Sequence, residues 1–167
     1  TPPPCGTACG AAPSAAARRN LSPADTTRRV RETAAMTATN ITVHPIHLGL
    51  GATAEIEPEF TGGMEWYGGY SARHADDGAE GRLVTMHTFT ESWDVWEMHP
   101  VGAEVVLCTD GAITLHQEHA DGSTASVTLG AGEYAINPPG TWHTADVDAT
   151  ATALFITAGE GTDHRPR

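Results

Sequence analysis

The chain has 167 residues, of which 40% are hydrophobic, and this size suits one domain with a real core. Its net charge is −12; the first 35 residues carry a net +3, which leaves −15 for a remainder without lysine. So acidic a domain argues against nucleic-acid binding, which needs basic patches, and fits a protein that attracts cations. No apolar run approaches the ~18 residues of a membrane span, so no membrane contact is expected.

Residues 1–39 are rich in Ala, Thr, Pro and Arg and contain almost no large apolar side chain. Such a segment cannot bury enough surface to order itself, so we predict a disordered or irregular N-terminal segment. It has the arginine-rich, acid-poor composition of an organelle transit peptide. We favour the alternative that Met36 is the natural start and that the preceding residues come from an extended reading frame.

Three cysteines, Cys5, Cys9 and Cys108, are an odd number and two of them lie in this segment. A disulfide framework is therefore not expected, and the composition favours a reduced, cytoplasmic setting.

From Ile41 onward the sequence reads as short strands separated by turns, without a helical period. The predicted strands are 41–48, 64–70, 82–89, 93–99, 104–109, 112–119, 125–129, 133–136, 142–147 and 150–157. Strong turn signals such as Asp110-Gly111 and Pro138-Pro139-Gly140 separate them. Many short strands at regular spacing predict an all-β sandwich or barrel. The strand at 64–70 would cover the barrel or pair with another chain.

One stretch, WDVWEMHPVGAE at 93–104, places ionisable residues in what is otherwise a core strand. Glu97 and His99 are two apart and so share one face of the strand. After a tight connection, Glu104 opens the next strand and can turn back to face them. Much later, a glycine- and proline-rich turn delivers His143 at the start of another strand.

At these residues the sequence resembles the cupin superfamily, whose motifs read G-x5-H-x-H-x3,4-E-x6-G and G-x5-P-x-G-x2-H-x3-N. The first appears here as Glu97-x-His99-x4-Glu104-x6-Gly111, and the second as Gly132-x5-Pro138-x-Gly140-x2-His143. The resemblance implies a double-stranded β-helix, or jelly-roll barrel, over residues 40–160, with a C-terminal tail at 161–167. It also implies one metal ion inside the barrel, held by Glu97, His99, Glu104 and His143.

The sequence departs from these motifs in three places. Glu97 replaces the first motif histidine, Val147 replaces the last asparagine, and the opening glycine is missing near Glu91. Two imidazoles and two carboxylates still suit one divalent transition metal, with Fe(II) or Mn(II) favoured and Zn(II), Ni(II) or Co(II) open. The alternative is that Glu97 is a buried acid bonded to a pocket residue and no metal binds. Two buried carboxylates without a cation would be costly, so we prefer the metal.

The resemblance suggests a metal-dependent enzyme that acts on a small metabolite by dioxygenase, isomerase or lyase chemistry. Glu97 would then serve as the catalytic proton-moving group. His87, Cys108 and Trp142 are the candidates for the substrate pocket. The alternative is a non-catalytic barrel that binds or senses a small molecule, possibly without metal; a storage or structural role fits least. The resemblance also implies a homodimer.

Overall fold

The computed structural model describes residues 37–167, so most of the predicted N-terminal segment lies outside the described residues. Ten strands and one α-helix follow in chain order. Their bounds are β1 Ile46–Gly49, β2 Thr53–Ile56, α1 Gly63–Arg73, β3 Arg82–Phe89, β4 Val95–Met98, β5 Glu104–Glu118, β6 Thr124–Gly130, β7 Tyr134–Asn137, β8 Trp142–Asp146, β9 Ala151–Thr157 and β10 Asp163–Pro166. Short 3₁₀ turns at Leu50–Ala52 and Ala75–Glu80 flank β2 and β3.

The strands pair antiparallel throughout and form two sheets that share β5. Sheet A runs β7-β5-β9-β3-β1-β2 and sheet B runs β10-β4-β8-β5-β6. The first half of β5 pairs with β7 and β9, and its second half pairs with β6 and β8. The chain is therefore the all-β jelly-roll barrel that the sequence predicts.

The bend in β5 depends on Gly111. Its φ is +72°, and a Cβ there would lie 2.0 Å from the carbonyl oxygen of Thr150, so only glycine fits. The pairing of β5 with β9 shifts register between Cys108 and Asp110 at this point, as in a β-bulge. The predicted hairpin turn at Asp110-Gly111 is thus wrong: the glycine carries one long strand from one sheet to the other.

The apolar core fills one end of the barrel. Side chains from four strands and the segment after β8 meet there: Val106, Cys108, Ile113, Leu115, Leu129, Ala145, Val147, Ala151, Ala153 and Phe155. The opposite end, where β4 and β9 finish and where β5 and β8 begin, holds buried polar residues, among them His99, Glu104 and His143. Among residues 37–167, none of the helical segments has the length and apolar character needed to cross a bilayer.

The segment at 63–73 is an α-helix, so the prediction of a strand at 64–70 is wrong. Trp66, Tyr70 and Arg73 recur at helical spacing and share one face of α1. Trp66 is buried, its indole N–H donates to Glu59 O (3.0 Å), and its ring stacks on Tyr70. This helical spacing is obscured in the sequence because Gly68-Gly69 and three aromatic residues lower helix propensity.

The predicted C-terminal tail also contains a strand. β10 pairs antiparallel with β4 along the edge of sheet B. On the outer face, the guanidinium of Arg165 lies over the rings of Trp142 (4.4 Å) and Trp96 (5.2 Å), and donates to Glu118 (2.7 Å). These contacts fasten β10 to the barrel.

Candidate metal centre

The two sequence motifs meet at the polar end of the barrel. Glu97 on β4 stands directly opposite His143 on β8, and His99 follows β4 on the same face as Glu97. The turn before β8 contains Gly140 at φ +73°, whose N–H donates to His99 O (2.9 Å). This backbone bond ties one motif to the other and sets the two histidines side by side, with ring centroids 5.3 Å apart.

The donor atoms of these residues point at a common centre. Single ligand atoms of Glu97, His99 and His143 lie within 4.8 Å of one another. Glu104 closes the other side, because its Oε2 is 3.2 Å from His143 Nε2 and its Oε1 is 3.4 Å from His99 Nε2. Donors bound to one ion at about 2.1 Å are about 3 Å apart when adjacent, so these separations fit one metal.

The hydrogen bonds behind the two histidines determine which ring nitrogen is free. His143 Nδ1 faces Thr141 O at 3.2 Å, and a carbonyl oxygen only accepts, so Nδ1 carries a proton. His99 Nδ1 lies 2.8 Å from Thr162 Oγ1. The Thr162 hydroxyl donates its own hydrogen to Gly159 O (2.9 Å), so it accepts a hydrogen bond from His99 Nδ1. Both rings therefore hold their proton on Nδ1, and both Nε2 atoms direct a lone pair into the barrel, as metal-binding histidines do.

Glu104 is a fixed and ionised carboxylate. Thr157 donates to its Oε1 (2.7 Å) and Asn137 donates to its Oε2 (3.0 Å), and its side chain is 4% exposed. Burial raises the pKa of Glu104, but the His143 and His99 rings outweigh burial and lower it below the usual range of a carboxyl group.

With both rings neutral, two imidazole lone pairs and a carboxylate would face one another without a hydrogen atom between them. Among the described residues, neither His99 Nε2 nor His143 Nε2 has a hydrogen-bond partner, although both atoms are buried. A cation inside such a centre would stabilise it. A proton on the His143 ring can supply this positive charge. Burial lowers the pKa of His143, but Glu104 more than offsets burial and raises it. One divalent metal would satisfy all three groups at once.

Glu97 differs from Glu104 in exposure and in hydrogen bonding. Its side chain is 26% exposed, and no hydrogen bond within residues 37–167 holds its carboxylate. Its Oε2 lies 4.0 Å from His143 Nε2, and its Oε1 lies 3.3 Å from His164 Nε2 on β10. Glu97 therefore borders the centre from the solvent side, where small rotations would bring it closer.

Two features together assign the fold family: an antiparallel jelly roll whose sheets share a bent strand, and two motifs that meet inside one end of it. The chain has the cupin fold. The resemblance predicted from the two motifs is confirmed at this level, and the cupin barrel gathers Glu97, His99, Glu104 and His143 in one place.

Comparisons with known proteins found matches among solved structures alone. No protein-family model and no curated protein matches the chain. Among solved structures, an oxalate oxidase aligns over 48% of this chain and 44% of its own at 16% identity, with a TM-score of 0.43. The oxalate decarboxylase of Bacillus subtilis aligns over 57% of this chain and 26% of its own at 15% identity, with a TM-score of 0.45. Hydroquinone 1,2-dioxygenase from Sphingomonas sp. TTNP3 aligns over 46% of this chain and 59% of its own at 16% identity, with a TM-score of 0.39. The chain covers less than two thirds of each of these proteins.

The structure places the three predicted pocket residues apart. Cys108 is fully buried in the apolar core at the far end of the cupin barrel, where burial raises the pKa of its thiol. Trp142 precedes His143 by one strand position, so it lies on the outer face under Arg165. Both assignments to the pocket are corrected by this geometry. His87 does face the interior, half-buried against Phe60 and Phe155, and burial lowers its pKa.

Sequence reasoning missed the residues that hold the centre in place. Thr141 and Thr162 orient the histidines, and Asn137 and Thr157 fix Glu104. These are common polar residues in two short stretches, 137–141 and 157–162, and nothing in the motif pattern marks their side chains as partners of the ligands. His164 was also missed, because the segment containing it was predicted to be a tail.

A second histidine cluster lies outside this centre, between β1 and α1. His47 Nε2 donates to Asp77 (2.6 Å) and its Nδ1 accepts from the Tyr70 hydroxyl (2.8 Å), so both nitrogens are engaged. The ring of His47 stacks on His74 at 3.5 Å and 15°, and His74 bonds Glu57 (2.6 Å). Nearly parallel stacked rings direct their lone pairs side by side and not at one point, so this cluster reads as a hydrogen-bond network that anchors α1.

Proposed function

We propose that this cupin binds one divalent transition metal through His99, Glu104, His143 and Glu97, and that it is an enzyme acting on a small metabolite. The observation that carries the proposal is the buried meeting of two imidazole lone pairs with an ionised carboxylate. Two imidazoles with carboxylate oxygens favour Fe(II) or Mn(II), and leave Zn(II), Ni(II) and Co(II) open.

A metal bound there would act as a Lewis acid and, if it is iron or manganese, as a redox centre. The residues of the chain would divide the remaining work. His99, His143 and Glu104 are buried and held from behind, so they keep the donor geometry rigid. Glu97 is partly exposed to solvent, and no hydrogen bond within residues 37–167 holds its carboxylate, so it can approach or leave the centre and take a proton from a substrate.

This division of labour favours dioxygenase, isomerase or lyase chemistry on a small polar or aromatic molecule. Two carboxylates in one site differ in environment, and such a difference commonly separates a structural from a proton-moving role. The negative charge of the domain would draw cations to the barrel end and would not attract nucleic acid. We also predict that the protein is located in the cytoplasm.

Elemental analysis of protein purified without added metal tests the proposal. We expect at least about half an equivalent of one transition metal, and a rise in melting temperature when Mn(II), Fe(II), Co(II), Ni(II) or Zn(II) is added to stripped protein. Less than about 0.2 equivalents together with no thermal shift would contradict metal binding. Full metal occupancy without turnover of any small metabolite would favour the non-catalytic binder.

We also propose a homodimer that pairs through the outer face of sheet A. One row of aliphatic side chains crosses all six strands, because the registers align Ile136, Val105, Ile156, Val84, Ile46 and Ile56. A second row aligns Tyr134, Leu107, Leu154 and Met86. These rows contain no charge in a chain of net −12, so a second copy could cover them without like-charge repulsion.

Light scattering with two matched variants tests the pairing. Wild-type protein is expected to show twice the mass of one chain, and Ile136→Lys to shift it towards the monomer, because a lysine in the row must lose its water on pairing. Val127→Lys is the control, since Val127 has similar exposure (45% against 51%) but lies on sheet B. A wild-type monomer at micromolar concentration would contradict the dimer.

A further inference from the structure

The C-terminal strand brings a third histidine to the edge of the metal centre. β10 pairs with β4 so that His164 stands directly opposite Glu97, and β4 pairs with β8 so that Glu97 stands opposite His143. Directly paired residues point to the same face of a sheet, so His164, Glu97 and His143 form one row on the inner face of sheet B. His164 is the outermost member, with its side chain 46% exposed.

The carboxylate of Glu97 lies between the two histidines of this row. Its Oε1 is 3.3 Å from His164 Nε2, and its Oε2 is 4.0 Å from His143 Nε2. No hydrogen bond within residues 37–167 holds this carboxylate, and the His164 ring is close enough to its outer oxygen to limit its rotation. An N–H at His164 Nε2 directed at Oε1 would leave Oε2 facing the centre.

The outer face of the same strand explains how an exposed histidine can act in this way. Arg165 points away from the centre and packs on Trp142 and Trp96, and Arg167 pairs with Asp146 (2.6 Å). These contacts fix the backbone of β10 on the C-terminal side of His164. The imidazole of His164 is therefore attached to a backbone that these contacts hold in place.

We propose that His164 is a positioning residue for Glu97, so that β10 completes the metal centre. The inference rests on the metal binding proposed above and adds a residue outside both cupin motifs. His164 does not enter the group of donor atoms that lie within 4.8 Å of one another, so it acts through the carboxylate and not as a ligand. A partner on the outer side of a carboxylate restricts the orientations that it takes towards the ion.

Titration of stripped protein with Mn(II), followed by electron paramagnetic resonance, tests the inference. His164→Ala is expected to weaken Mn(II) binding about tenfold and to change the zero-field splitting of the bound ion, since the loss of an outer partner of a ligand typically costs 10- to 100-fold. His164→Gln keeps an N–H donor and should recover most of the affinity. His116→Ala is the control, because it removes a histidine from sheet B that bonds Ser126 and Asp146 instead.

A double-mutant cycle separates this role from a general effect on the strand. In a Glu97→Ala background, adding His164→Ala should cause no further loss of affinity, because the carboxylate it positions is gone. An unchanged affinity and spectrum in His164→Ala would overturn the inference, as would nitrogen hyperfine couplings showing His164 bound to the ion. If wild-type protein binds no metal, the proposed function itself fails; if it binds metal and His164→Ala matches it, only this inference fails.

Discussion

Replacing His143 by alanine is expected to abolish metal binding while the barrel stays folded. His143 is fully buried, its Nδ1 proton is held by Thr141 O, and its Nε2 lies between the two carboxylates of the centre. Alanine leaves one imidazole ligand and an empty space at the centre. The affinity for the metal should therefore fall by at least about 100-fold, which is more than the loss of a hydrogen-bond partner of a ligand costs. Calorimetric titration of stripped protein with Mn(II) and Zn(II) measures the change.

The same substitution removes a buried side chain, so its effect on folding must be measured separately. Emptying this volume should lower the free energy of unfolding by about 2 kcal/mol, which a barrel of this size tolerates. Far-UV circular dichroism and a melting curve without metal check this. His143→Gln fills more of the space and serves as a second variant, whereas His116→Ala should bind metal like the wild type. Full metal occupancy in both His143 variants would show that the assignment of the centre is wrong.

The ligands could be found from sequence because spacing along strands determines which side chains share a face. Glu97 and His99 are two residues apart, and a short turn returns Glu104 to them, so local geometry alone brings three of the four together. His143 comes from a distant segment, and only the second cupin motif relates it to the others. The jelly roll follows from the same evidence of short strands and strong turns.

The remaining features depend on contacts that local pattern does not encode. Asp110-Gly111 has the composition of a hairpin turn, but Gly111 lies against the backbone of Thr150 and pairs with Ala151 as part of one bent strand. α1 is stabilised by burying Trp66 against Phe60 and Tyr70, which overrides two glycines and poor helix propensity. His164 required knowledge that the last residues pair with β4.

The pocket assignments failed for a related reason. Parity along β5 correctly placed Cys108 on the interior face, but the interior of the barrel is apolar at that end and polar at the other. The alternation of side chains along a strand predicts which face of the sheet a residue occupies, but not how far along the barrel axis that residue lies. Trp142 was assigned to the pocket because it directly precedes His143, although adjacent residues of a strand point to opposite faces of the sheet.

Glu97 is the residue whose replacement should change the metal most. Glu97→His restores the histidine of the cupin motif, and exchanges an anionic oxygen donor for a neutral nitrogen donor next to His143. Imidazole suits Ni(II), Co(II) and Zn(II), whereas carboxylate suits Mn(II). We expect affinity for Ni(II) to rise about tenfold and affinity for Mn(II) to fall by a similar factor, so their ratio should change on the order of 100-fold.

Competition titrations with Mn(II) and Ni(II) on stripped wild-type and Glu97→His protein measure this ratio. Glu97→Gln separates charge from donor type, because it keeps an oxygen but loses the negative charge, and it should weaken both metals. If Glu97 is only a buried acid beside the centre, neither variant will alter metal preference by more than a few-fold. If Glu97 moves a proton during turnover as well as binding the ion, Glu97→His will hold metal tightly and yet lose catalytic rate. Tight binding combined with undiminished turnover would instead assign the proton transfer to another group.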